Sequence, residues 1–192
     1  MLFSDETIAD TINEQFEPVW VSLREVPRVT IDFGNGHVIR RTLHGNIATW
    51  ICDSDGTAID VLPGIYEPQS YLLNLQYVAV QHRQFGELDS AEERREWLAA
   101  YHQVGTRLAE DNLSTSAHNF NGRSPLESDT LVNETVRRKQ IHEYLETCGI
   151  IRPDDVTGWL YREVLNADLD DPYLGLGESL FGSYPFAEED AS

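Results

Sequence analysis

The side chains best able to do chemistry in this 192-residue chain are two cysteines and six histidines. Cys52 follows Trp50 in an apolar run and Cys148 stands beside Gly149, so the two are far apart in sequence. Neither a Cys-x-x-Cys exchange pair nor a cysteine-rich metal site can be built from them. A reactive thiol needs exposure and an electropositive setting, and Cys52 in mid-strand reads instead as a small buried hydrophobe. Cys148, near a helix end, is the more exposed of the two. Among His37, His44, His82, His102, His118 and His142, no two share the i, i+4 spacing that sets a pair of ligands on one helical face. They read as separate surface or hydrogen-bonded histidines, with convergence of His82, His102 and His142 on packed helices as the alternative. No metal and no cofactor is assigned.

Other short motifs have plainer readings. "GNG" at Gly34 to Gly36 precedes no helix and has no lysine near it, so it is a turn and not a phosphate cradle. "GLG" at Gly175 to Gly177 is equally uninformative. "DLDD" at Asp168 to Asp171 lacks the glycine and downstream glutamate of an EF-hand loop, and reads as an acidic turn ending a helix. "ERREW" (Glu93 to Trp97) and "RRK" (Arg137 to Lys139) are basic clusters expected on solvated helix faces, where their ion pairs contribute little.

Composition narrows the partners. Thirty-three acidic against 14 basic side chains give a formal net charge of -19, which repels a phosphate backbone and an anionic membrane surface. Nucleic acid and membranes are therefore not expected partners. A protein or peptide, a second copy of the chain included, is. No apolar run approaches the roughly 20 residues needed to span a bilayer. "MLFSDETIADTINEQF" carries acids where a signal peptide carries positive charge. The expected location is cytoplasmic, with export as the alternative where the start of the protein lies upstream.

The elements that must position these residues follow from periodicity and punctuation. Ser4 looks like an N-cap with acids in the first turn, and Ile8, Ile12 and Phe16 mark one face, predicting a helix over Ser4 to Glu17. Val19 to Leu23 alternates and predicts a strand. "VTIDF" and "HVIRRTL" about the Gly34–Gly36 turn predict a β-hairpin. Ile47 to Cys52, the "DSDG" turn and Ala58 to Leu62 predict an antiparallel pair, and a long helix starts at Pro68 with Tyr71, Leu72, Leu75, Val78 and Ala79 on one side. Beyond Gly86 the chain reads as helical. Trp97, Leu98, Tyr101, Val104 and Leu108 form one stripe. Asn112 to Ser128 reads as a loop, and Leu131, Val132, Val136, Ile141, Tyr144 and Leu145 form a second stripe. Pro153 opens a further helix, and the tail from Asp168 mixes acids with aromatics that should dock on the domain or on a partner.

The run "LFSDETIADTINEQFEPVWVSL" resembles the segment that follows the redox motif of thioredoxin-like proteins, where a helix end leads into a buried strand. "GNIATWICDSDGTAIDVLPGIYEPQSYLLNL" resembles their strand, Asp-Gly turn, strand, "PG" and closing helix. The resemblance covers Leu2 to Tyr77. It implies an α/β fold: an incomplete thioredoxin-like sandwich over residues 1–85, with an added β-hairpin from Val29 to Thr42, followed by an α-helical extension over 86–192. It also implies that the family's cis-proline loop falls on Asn46, Ile47, Ala48 and Thr49, the expected binding residues. Ala48 stands where the family has proline, so a trans bond is expected.

The redox pair of that family would lie upstream of Leu2, where this chain begins. The expected function is therefore a redox-inactive thioredoxin-like module that binds protein, with no catalytic residue assigned. The alternative is the downstream part of a thiol-disulfide oxidoreductase whose Cys-x-x-Cys lies before Met1. An enzyme of another chemistry, using histidines and acids of the C-terminal half, has no motif behind it.

Overall fold

The computed structural model describes residues 2–42, 47–116 and 122–175. Asn46, His44, His118 and the tail beyond Gly175 lie outside the described residues. The chain is a mixed α/β protein, rich in helix, with two small antiparallel two-stranded sheets among the described residues.

Helix α1 spans Glu6–Gln15, two residues shorter at each end than the sequence suggests. The cap is Asp5, whose carboxylate accepts from the N–H groups of Thr7 and Ile8, while Leu2–Ser4 form a separate 3-10 turn. Strands β1 (Arg28–Asp32) and β2 (Val38–Thr42) form the expected hairpin. The strand predicted over Val19 to Leu23 is not formed; that segment is irregular and exposed. Alternation alone does not make a strand, because a ladder needs a partner, and none of the described strands pairs with it.

Strands β3 (Ala48–Cys52) and β4 (Ala58–Pro63) form the second hairpin and the centre of the interior. Every residue of β4 is buried. One apolar cluster joins Ile51, Ile59 and Leu62 to Ile8 of α1, to Tyr71, Leu75, Val78 and Phe85 of α2 (Pro68–Gly86), and to Leu98 of α3 (Ala91–Ser116). A second joins Val61 to Ile141 and Leu145 of α5 (Arg138–Cys148), Val156 of α6 (Pro153–Trp159), and Leu160, Val164 and Leu165. Both clusters thus draw on residues from either side of position 85.

Two predicted stripes hold at Leu98, Tyr101, Leu131, Ile141 and Leu145 and depart at other positions. In α3 the buried positions are Leu98, Tyr101, His102 and Ala109, while Val104 and Leu108 are exposed. Between α4 (Pro125–Val132) and α5 the chain makes a π turn over Asn133–Arg137. Its wider loop turns the helix face, so Val136 points to solvent and Asn133, Thr135 and Arg138 point inward. The loop expected over Asn112 to Ser128 is shorter than predicted, since α3 runs to Ser116 and α4 starts at Pro125 with a Ser124–Glu127 capping box. No helix among the described residues is long and apolar enough to cross a membrane.

Candidate functional site

Strand β4 reads "AIDVLP", an apolar run with one charge in it. That charge, Asp60, has no solvent exposure at all. Burying a carboxylate is costly unless it is paired and hydrogen-bonded, and Asp60 is both. Arg138 donates from Nη1 to Oδ1 at 2.8 Å and from Nη2 to Oδ2 at 3.0 Å, a two-pronged pair. The Tyr101 hydroxyl donates to Oδ2 at 2.6 Å, and the Val61 N–H donates to Oδ1 at 2.7 Å. Arg138 Nη1 also reaches the Val61 carbonyl at 3.0 Å, which satisfies the outer edge of β4. Burial pushes the Asp60 carboxyl up, but the Arg138 charge and these bonds outweigh it and hold it at about 2. "RRK" is thus not a solvated face throughout: Arg138 is interior and carries the charge that balances Asp60.

The imidazoles of α3 and α5 meet beside this pair. His102 Nδ1 and His142 Nδ1 are 3.0 Å apart, so one ring donates and the other accepts through an unprotonated nitrogen. Burial lowers His102 to about 4 and takes His142 well below its usual range. Room for the His142 ring comes from Gly105. A Cβ there would lie 2.5 Å from Cε1 and Nε2 of that ring, which accounts for a glycine in the middle of a helix. Tyr101 is held between Trp97 and Tyr77, ring centroids 5.2 and 6.2 Å away.

The π turn brings more polar groups to the same region, as such turns often do at functional sites. Asn133 Nδ2 donates to the Ile65 carbonyl at 2.8 Å and its Oδ1 accepts from Arg137 Nη1. The amide packs so closely on Gly64, at φ +76°, that a side chain there would collide with it. Glu134 Oε1 accepts from Asn74 Nδ2 at 2.6 Å, and burial raises its carboxyl against the pull of Arg138. Above these groups a cleft of about 180 Å³ opens between α2, α3 and the π turn. Tyr77, Tyr101, Ala109, Glu134, Arg138 and His142 are among the side chains that line it.

The residues expected from sequence lie elsewhere. Asn46 is outside the described residues. The Ile47 carbonyl accepts from the Gly64 N–H, and Thr49 Oγ1 lies 3.0 Å from the Tyr71 hydroxyl. The Gly64–Ile47 bond fixes the register so that the N–H and C=O groups of Ala48 and Trp50 point away from β4. They find no partner among the described residues. No cis peptide bond occurs among the described residues, Ile47–Ala48 included.

Cys52 and Cys148 are free and half-buried. Burial, with a smaller push from Asp55, raises the Cys52 thiol, and the Cys148 thiol bonds the Tyr144 carbonyl at 3.3 Å. His82 does not join the other two histidines; its Nε2 meets Asp53 Oδ1 at 2.9 Å. No group of three or more His, Cys, Asp or Glu among the described residues is placed to hold a metal ion.

The residues that sequence reasoning missed left signals of their own: Asp60 alone in an apolar strand, Gly105 in mid-helix, and Arg138 four residues before His142 on an otherwise apolar stripe. Comparison with family models, with curated proteins and with solved structures finds no match to this chain.

Proposed function

We propose that the chain is a protein-binding module that takes an extended peptide of a partner along the free edge of β3. The observation that carries this reading is the run from Val19 to Leu23. Val19, Trp20 and Val21 are 81, 77 and 69% exposed, and the adjoining hairpin adds exposed Ile31, Phe33 and Val38. Apolar side chains left in water on a segment and on the hairpin next to it in sequence are candidates for cover by a partner. The Ala48 and Trp50 backbone, without a partner among the described residues, supplies a second element, an edge onto which a strand can be added.

The finer reading, an incomplete thioredoxin-like sandwich over residues 1–85 with a helical extension, belongs to the same proposal. Its support is the local unit β3, Asp-Gly turn, β4, Pro63–Gly64 and α2, in the order the resemblance implies. A redox role finds little support: the Cys52 thiol is raised, so its thiolate fraction is small.

Two measurements test the proposal. With insulin and dithiothreitol the protein should not accelerate reduction, and turnover would end the redox-inactive reading. Extended peptides selected from a random library should bind and protect the Ala48 and Trp50 amides from hydrogen exchange. Trp50→Pro, which cannot donate on that edge, should abolish the binding. Peptides that bind without touching β3, or a library that yields none, would end the edge-pairing reading.

A further inference from the structure

We propose that the cleft between α2, α3 and the π turn binds a small organic cation with N–H donors, its charge on Glu134 and its apolar part against Tyr77 and Tyr101. The inference stands apart from the β3 edge and goes beyond the reading above. Its first support is size. The cleft measures about 180 Å³, comparable to the ~150 Å³ apolar cavity that accepts benzene, so a ligand of one ring with a short polar arm fits.

The second support is charge. Arg138 and Asp60 neutralise one another through two hydrogen bonds, and burial keeps the paired His102 and His142 neutral. Glu134 is then the lining group with uncompensated charge. Its Oε1 is held by Asn74, and its Oε2 has no partner among the described residues. An ammonium or amidinium group would occupy that oxygen and keep the carboxylate ionised where burial opposes it. An anion would meet Glu134, and among the described lining residues the one cation, Arg138, is already paired with Asp60.

The third support is the aromatic wall. Tyr77 stacks on Tyr101 within 24° of parallel and is itself 38% exposed, so it offers aromatic surface to the apolar part of the ligand. The same chemistry has two sources, a free amine or the basic side chain of a polypeptide.

The test is a titration of the full chain, followed by calorimetry and by NMR shifts of residues around Glu134. The probes are benzylamine, protonated at neutral pH, benzyl alcohol and benzoate, with acetyl-arginine amide in a parallel arm. Saturable binding of benzylamine or acetyl-arginine amide, with benzyl alcohol weaker and benzoate absent, is expected. Whichever of the two cations binds more tightly names the source. Glu134→Gln keeps an oxygen for Asn74 and should weaken cation binding about tenfold or more, with the far-UV spectrum unchanged. Should that variant not fold, Leu108→Trp on the exposed rim should block the cleft and abolish binding. Benzoate binding as tightly as the cations, binding unchanged in both variants, or no saturable binding of either cation would overturn the proposal.

Discussion

The interior around Asp60 and the segment from Glu17 to Thr42 solve opposite problems. Around Asp60 the chain buries two charges, a tyrosine hydroxyl and two imidazoles, and gives Asp60 and Arg138 partners at both ends. Between Glu17 and Thr42 it does the reverse. Apolar side chains stand in water, and the segment is tied down by Arg24, whose guanidinium donates to the carbonyls of Leu169, Asp171 and Pro172. Buried charges that are paired and hydrogen-bonded in this way specify one packing arrangement. An exposed apolar run is incomplete until something covers it. The contrast sets the first region to stability, and the second is the one on which the proposed association draws.

The largest effect that could break this contrast comes from Arg138→Met. It leaves Asp60 buried and unpaired, and should cost about 3 to 5 kcal/mol of unfolding free energy in denaturant melts. The double variant Asp60→Leu with Arg138→Met removes both charges and should recover most of that loss. If the single variant is nearly as stable as the parent, the pair is not what organises the interior.

Acid should act on the same region and in a defined window. His102 is held at about 4 when folded, against a usual value of 6.5, so the unfolded chain binds its proton first as the pH falls. Its contribution is fully present above 6.5 and is lost progressively down to about 4, a change on the order of 3 kcal/mol. His142, also lowered, adds in the same direction. Asp60, held at about 2 against 3.8, then adds a second loss below pH 4. Denaturant melts of His102→Gln should show a flatter pH profile between 6.5 and 4 than the parent; an identical profile would mean that the rings are not buried neutral.

Gly105→Ala should have the next largest effect, because its Cβ would lie inside the His142 ring's contact distance. Helix propensity favours alanine by about 1 kcal/mol, and overpacking costs about 1 to 3 kcal/mol. A net loss of stability on a substitution that strengthens an isolated helix would show that the imidazole needs that space. A net gain in thermal melts would show that it does not.

How much of this was legible in the sequence depends on how local the cause is. The β3–β4 hairpin, its Asp-Gly turn and α2 follow from neighbours in sequence, and so does the β1–β2 hairpin about Gly34 and Gly36. The π turn over Asn133–Arg137 does not. A reading at 3.6 residues per turn places Val136 inward, and the inserted residue moves it out. Arg138 looks solvated beside Arg137 and Lys139 because its partner is on a strand far away in sequence. The sequence offers convergence of His82, His102 and His142 as an alternative to separate histidines; the packing of α3 on α5 joins the last two and leaves His82 with Asp53. The strand expected over Val19 to Leu23 fails for the converse reason. Its pattern is local, but its partner is missing from the described sheets.

The smallest effect on stability sharpens the contrast most. Trp20→Ser removes a large apolar side chain that is 77% exposed, so its unfolding free energy should shift by no more than about 0.5 kcal/mol. Solubility should rise, since less apolar surface is left to associate. A selected peptide that uses Trp20 as well as β3 should bind more weakly, while one confined to the Ala48 and Trp50 edge should not notice the change. Destabilisation by several kcal/mol would instead mean that Trp20 is packed against the body of the molecule. The segment would then belong with the interior, and the division of labour between the two regions would fall.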